Sequence, residues 1–195
     1  MTTYILAGGG DRVYSEYLNQ LVRVIEAKVT RPKILSCWFS NSDETANAQF
    51  TEYRDYFLAS FEDGTTFIRA ERGRFIEQVR DVDVIYLHGG HTDLLLAAMQ
   101  EYEGMEGAFT GKIIVGSSAG ANYLSRVGFS PSKEGVVEGS GILDVATVVH
   151  YGSRGFGGKA FEPAFWDEAT RKVREASGKD EVILLPEGTF TVIER

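Results

Sequence analysis

The sequence predicts a doubly wound α/β domain, a mostly parallel sheet with helices on both faces. Three observations carry that expectation. Short apolar runs recur along the chain, and several of them end in Gly-rich turns. Stretches with helical apolar spacing lie between the runs, and strands alternating with helices favour a parallel sheet covered on both sides. The chain has 195 residues, which suits one α/β domain over 1–195 and leaves little room for a second.

The elements follow in order. Tyr4–Leu6 reads as the first strand and leads into Ala7-Gly8-Gly9-Gly10-Asp11. Tyr14–Lys28 carries apolar residues at 14, 17, 18, 21, 22 and 25, a helical period. Lys33–Phe39 reads as a strand, Ala46–Phe61 as a helix and Thr66–Ile68 as a weaker strand. Val82–Leu87 runs into His88-Gly89-Gly90, Thr92–Met99 is helical, and Lys112–Val115 runs into Gly116-Ser117-Ser118. Val145–Val149 is a strand candidate ending at His150. Glu162–Ala176 is a charged amphipathic helix with Pro163 in its first turn, where proline is tolerated. Val182–Leu185 and Thr189–Ile193 are the late strands, and the segment Ser130–Gly141 reads as a loop. Sites in such sheets collect at the carboxyl ends of strands.

Composition narrows the classes of function. The net charge is −8, with no Lys/Arg cluster interleaved with aromatics, so no nucleic-acid surface is expected. Cys37 is the single cysteine, which rules out an intramolecular disulfide and fits a reducing compartment. Neither a basic leader nor an apolar run near the roughly 20 residues of a membrane span is present. A cytoplasmic protein without membrane contact is the expectation.

Gly116-Ser117-Ser118-Ala119-Gly120 matches G-x-S-x-G, follows an apolar strand and precedes Ala121-Asn122-Tyr123-Leu124, which can start a helix. That context is the one a nucleophile elbow requires: the serine sits on a sharp turn with its hydroxyl exposed, between small neighbours. A serine hydroxyl needs a base, and the chain offers three histidines, His88, His91 and His150. Gly89-Gly90 lets a backbone N–H approach a ligand closely, and with the N–H of Ala119 it makes a candidate oxyanion hole. His88 and His91 lack an H-E-x-x-H pattern or a cysteine pair, so no metal site is expected. Gly8-Gly9-Gly10 lacks both G-x-G-x-x-G spacing and a Walker lysine, which argues against a nucleotide site.

Together these residues resemble the peptidase E and cyanophycinase family of serine peptidases. The resemblance rests on Leu6-Ala7-Gly8-Gly9-Gly10, Gly89-Gly90-x-Thr92, Gly116-x-Ser118-Ala119-Gly120-Ala121, and His150 followed by Tyr151. It implies a fold similar to class I glutamine amidotransferases, with Ser118 as nucleophile, His150 as base, and the N–H groups of Gly90 and Ala119 as oxyanion donors. It also implies an acid between serine and histidine. Glu134 matches by distance from the elbow, Glu138 is next and Asp144 follows; Glu187, after the Val182–Leu185 strand, is an outside candidate. The resemblance further implies short peptide substrates, among them N-terminal Asp-X dipeptides, and no cofactor. An acidic substrate calls for a cation, for which Arg126 and Arg154 are the candidates. Self-association as a homo-oligomer stays open. Two other readings use the same residues: an esterase or amidase, separable by substrate profiling, and a non-catalytic binding protein, which a fluorophosphonate would leave unlabelled.

Overall fold

A computed structural model describes residues 1–10, 14–156 and 158–195. Asp11, read from the sequence as the end of the first Gly-rich turn, lies outside the described residues. The main sheet has six strands. They are β1 (Thr3–Ala7), β2 (Lys33–Cys37), β3 (Thr66–Arg69), β4 (Val84–Leu87), β5 (Ile113–Ser117) and the late β12 (Phe190–Glu194). Their order is β12-β1-β5-β4-β2-β3. β12 is antiparallel to β1, and the other pairings are parallel.

The alternation of side chains along these strands divides the core in two. Ile5, Ala7, Ile34, Val84, Tyr86, Ile113 and Val115 face one way, onto Tyr17, Leu18, Leu21 and Ile25 of α1 (Ser15–Glu26) and Phe57 of α2 (Asp43–Leu58). Tyr4, Leu6, Leu35, Cys37, Ile85, Leu87 and Ile114 face the other way, onto α3 (Phe75–Arg80), α4 (Thr92–Met99), α5 (Met105–Ala108) and α6 (Ala119–Leu124). Near-continuous apolar strands are what burial on both faces demands. The chain winds outward through β1, β2 and β3 and returns through β4 and β5. The adjacent strands β1, β5 and β4 therefore deliver their Gly-rich turns to one edge. The capping chemistry agrees with these bounds: the Ser42 hydroxyl accepts the Thr45 N–H at 3.3 Å, and α7 (Pro163–Ser177) starts on a proline and ends at Gly178 with φ 65°.

A second sheet departs from the sequence expectation of one. β6 (Ser125–Ser130), β7 (Gly135–Glu138), β8 (Leu143–Val149) and β11 (Ile183–Leu185) pair in the order β11-β8-β6-β7. Val127, Phe129, Ala146 and Val148 of this sheet pack on Trp166, Ala169 and Val173 of α7. A two-stranded ribbon joins β9 (Gly155–Phe156) to β10 (Lys159–Ala160). The segment 130–141, read as a loop, contains β7 and the turn of the β6–β7 hairpin. Its Ser- and Gly-rich sequence reads as turn chemistry. In the fold those small residues, and the ones of β6 before them, are used for close packing. Ser140 Oγ donates to the Tyr123 carbonyl at 2.7 Å, and Gly139 lies where a Cβ would overlap the Ser125 and Asn122 carbonyls. Ser125 Oγ donates to the Ala121 carbonyl at 2.8 Å, and Gly128 lies where a Cβ would overlap the Asn122 amide.

Helix α6 is pressed onto the sheet at Gly120, where a Cβ would overlap the Leu87 carbonyl and stand 2.8 Å from the Leu87 Cβ. Because backbone on β4 cannot yield, Gly120→Val is expected to lower stability by about 1–3 kcal/mol or more. The shift in urea midpoint measures it, and an unchanged midpoint would contradict this packing.

Candidate active site

The end of β1 organises the site. The Ser118 N–H donates to the Ala7 carbonyl at 2.9 Å, the His150 N–H to the Gly8 carbonyl at 3.1 Å, and the Gly188 N–H to the Gly9 carbonyl at 2.9 Å. Three distant chain segments thus hang on three consecutive carbonyls. Such close approach excludes side chains on β1's extension. A Cβ on Gly8 would overlap the Pro186 carbonyl, and one on Gly9, whose φ is 99°, would overlap the His150 ring and stand 3.0 Å from its Nε2. The Gly8-Gly9-Gly10 run therefore serves the convergence of the chain.

Ser118 is the junction between β5 and α6, with φ 50° and ψ −103°. The turn closes because its flanks are small: a Cβ on Gly116 would lie 2.6 Å from the Gly120 carbonyl group. His150 follows β8 directly and also has positive φ, 56°. Ser118 Oγ lies 2.8 Å from His150 Nε2, and His150 Nδ1 lies 2.7 Å from Glu187 Oε1. The His150 side chain is 6% exposed and that of Glu187 23%, so the chain of hydrogen bonds runs from a half-buried hydroxyl through a buried ring to a partly screened carboxylate. β11 pairs in parallel with β8, with Leu185 opposite Val149. Glu187, two residues past Leu185, is thereby brought level with His150.

The carboxylate beside His150 is thus Glu187, and the expectation of Glu134 is corrected. Glu134 sits at φ 52° in the turn between β6 and β7 and pairs with Lys159. The hairpin sets its tip beside Lys159 of β10, a place that a loop reading did not anticipate. Glu138 ends β7 opposite Val127 and is exposed. Asp144 pairs with Lys179 at 2.8 Å and with Arg126 at 3.1 Å. The Lys179 hydrogen bond holds its carboxyl below the usual carboxylate range. Arg126 is corrected as well. It is held by the Ser177 carbonyl and by Asp144, and Asp144 lies six residues before His150 along β8, about 20 Å at the rise of a strand. Arg154 lies outside the Ser118–His150–Glu187 chain of hydrogen bonds. It lines a cleft of about 410 Å³ that starts at Tyr151, next to His150, and is walled by Phe161, Pro163 and Trp166. A signal for Glu187 was present in the sequence, as an acid between Pro186 and Gly188 at the end of an apolar strand.

The other histidines have different surroundings. His88 is buried, stacks on Trp38 with centroids 3.9 Å apart, and its Nε2 lies 2.8 Å from Ser36 Oγ. Burial pushes its pKa well below the usual 6.5, favouring the neutral ring. His91 is exposed at the start of α4. Gly89 lies against the serine: a Cβ built on it would stand 3.4 Å from Ser118 Cβ and 3.9 Å from Oγ. The Ala119 N–H, first in α6, belongs to the group of helix-start donors that lack an intrahelical acceptor. Among the described residues no group of three His, Cys, Asp or Glu is arranged to hold a metal ion.

A hydroxyl, an imidazole and a carboxylate joined in that order define a site of the serine hydrolase class. The profile of Peptidase family S51 matches residues 5–195. The chain belongs to that family, the peptidase E family, and is a serine peptidase. No curated protein sequence matches it. Among solved structures, it resembles a peptidase from an acI-B1 Actinobacterium with a TM-score of 0.72 at 20% identity, covering 99% of this chain and 83% of that one. It also resembles a peptidase E-type protein from Listeria monocytogenes EGD-e, with a TM-score of 0.61 at 17% identity over 100% of this chain and 99% of that one. Both likenesses establish the α/β fold.

Two outcomes follow from this geometry. Gly9→Ala should displace the His150 ring and reduce kcat by on the order of 10²-fold, the scale set by misplacing a reacting group by about 1 Å. Steady-state kinetics checks this, and near-full activity would contradict the close approach. The second concerns pH. Because His88 has a depressed folded pKa, the unfolded chain takes up a proton below about pH 6.5 that the folded chain does not. Its contribution to stability is present above pH 6.5 and is lost as pH falls further, by up to about 1.4 kcal/mol per pH unit. Urea unfolding from pH 7.5 to 5 should show a shallower acid-side loss in His88→Gln than in the parent.

Proposed function

We propose that Ser118 is the nucleophile, His150 the general base and Glu187 the orienting acid for hydrolysis of short peptides. The hydrogen-bonded sequence Ser118–His150–Glu187 carries this reading. His150 Nδ1–H donates to the Glu187 carboxylate, which leaves Nε2 as the acceptor for the Ser118 proton. The serine oxygen attacks the peptide carbonyl as its proton passes to Nε2. The resulting oxyanion is received by the N–H groups of Gly90 and Ala119. The C–N bond then breaks, and the His150 proton leaves with the amine. Water, deprotonated by the same Nε2, attacks the acyl-serine and restores the enzyme. Throughout, Glu187 holds the ring and stabilises its charged form.

Peptides with an N-terminal aspartate are the candidate substrates. Arg154 supports this, because it stands in the cleft beside His150 and no carboxylate pairs with it among the described residues. Among the described residues the guanidinium is the cleft's cation, set beside the apolar walls Phe161, Pro163 and Trp166 and the carboxylates of Glu162 and Asp167.

Ser118→Ala and His150→Ala should each remove most activity and leave the fold intact, with the double variant little worse than either single one. Glu187→Gln should lower kcat by about 10²–10⁴-fold, whereas Glu134→Gln should leave it nearly unchanged. A crippled Glu134→Gln beside a fully active Glu187→Gln would reverse the assignment. Fluorophosphonate labelling that persists in Ser118→Ala would remove the nucleophile. For Arg154→Ala, KM for Asp-X peptides should rise about tenfold or more, the worth of a hydrogen bond to a charged group. An equal rise for Ala-X peptides would count against recognition of the acidic side chain.

A further inference from the structure

The turn that holds the Gly90 N–H is itself held by two side chains outside the motifs. Ser40 and Asn41 follow β2 on the same sheet edge. Asn41 Nδ2 donates to the Gly89 carbonyl at 2.8 Å. Ser40 Oγ, fully buried, lies 2.9 Å from the same oxygen and 2.9 Å from the His88 carbonyl, its one proton shared between them. Asn41 Nδ2 also reaches Ser40 Oγ at 3.0 Å. On the far side of the turn the His91 N–H donates to the Ser40 carbonyl at 2.7 Å. There is no room for anything but glycine at position 90, whose φ is 144°. A Cβ there would stand 2.5 Å from the Ser40 carbonyl and 2.9 Å from Asn41 Nδ2.

A trans peptide is planar, so its C=O and N–H point in opposite directions. Two donors fastened to the Gly89 carbonyl therefore fix the direction of the Gly90 N–H. Among the described residues that N–H has no acceptor, and the turn that carries it borders Ser118. We propose that Ser40 and Asn41 are positioning residues, which aim the Gly90 N–H at the oxyanion by holding the other end of its peptide group. The inference rests on the oxyanion role given to Gly90 above. Donation to the carbonyl also polarises the peptide and strengthens its N–H as a donor. The assistance is felt where negative charge develops, in the transition state and not in the bound substrate, so it belongs to kcat.

The test uses the whole chain, a chromogenic short peptide and a peptide aldehyde, which forms a tetrahedral adduct with the serine. Asn41→Ala should lower kcat about 10- to 100-fold, a part of what loss of an oxyanion donor costs, with KM changed less than twofold. Aldehyde affinity should fall by a similar factor. The acid limb of the kcat/KM profile, which reports the base, should stay in place. Asn41→Asp keeps the side-chain volume but, ionised, cannot donate to the Gly89 carbonyl, so it should show the same loss. If Asn41→Ala fails to fold, Asn41→Asp decides. Unchanged kcat and aldehyde affinity in the folded variant would overturn the proposal, as would a loss accompanied by a displaced acid limb. A parent enzyme whose Ser118 is neither labelled nor needed would instead overturn the mechanism on which the proposal rests.

Discussion

Three consecutive carbonyls at the end of β1, those of Ala7, Gly8 and Gly9, hold the backbones of Ser118, His150 and Gly188. The first of these hydrogen bonds continues the β1–β5 ladder past its last pair, Ala7 with Ser117, and the other two lie beyond the strands; together they set the distances between side chains that lie far apart in sequence. β1 is paired on both sides, with β5 and with β12, and this makes its end a rigid post. Glycine at 8 and 9 is the condition for it, since a methyl group at either place would meet the Pro186 carbonyl or the His150 ring. The directions of the Ser118 and His150 side chains follow from where their own N–H groups are tied.

Two members of the proposed triad also have backbones that depart from ordinary conformations. Ser118 and His150 both have positive φ, a conformation that costs non-glycine residues of order 1–3 kcal/mol each. The surroundings hold them there. Ser118 lies between a fully buried strand and a helix whose residues are all buried. The His150 ring is closed in by Gly9 on one side and tied to Ser118 and Glu187 at its two nitrogens. Each ring nitrogen thus has a defined partner, which fixes the ring plane as well as the tautomer.

Much of this was legible in the residues. Short apolar runs mark β1, β2, β4, β5, β8 and the late strands, and burial of the main sheet's interior strands on both faces writes hydrophobicity nearly continuously into the sequence. Helices α1, α4 and α7 were legible from apolar spacing and from Pro163. The serine turn was legible because its small residues are demanded locally. The second sheet was not, since β6 uses Ser125, Gly128 and Ser130 in close packing that resembles turn chemistry. Glu187 was obscured for a different reason. Its place beside His150 comes from the parallel pairing of β11 with β8, a long-range register that no local pattern records. Ser40 and Asn41 likewise act through a carbonyl that has no identity in the sequence.

The three groups of the proposed triad also come from different sheets. Ser118 ends β5 of the six-stranded sheet, whereas His150 and Glu187 follow β8 and β11 of the four-stranded one. The bond between Ser118 Oγ and His150 Nε2 therefore spans a seam, crossed by α6 and by the chain from Pro186 to Thr189. A slip of one sheet against the other by a fraction of a strand's width would part hydroxyl from ring and leave every ladder intact. Function in this molecule is a vernier on the seam, sensitive to displacements that spectroscopic measures of helix and strand would pass over.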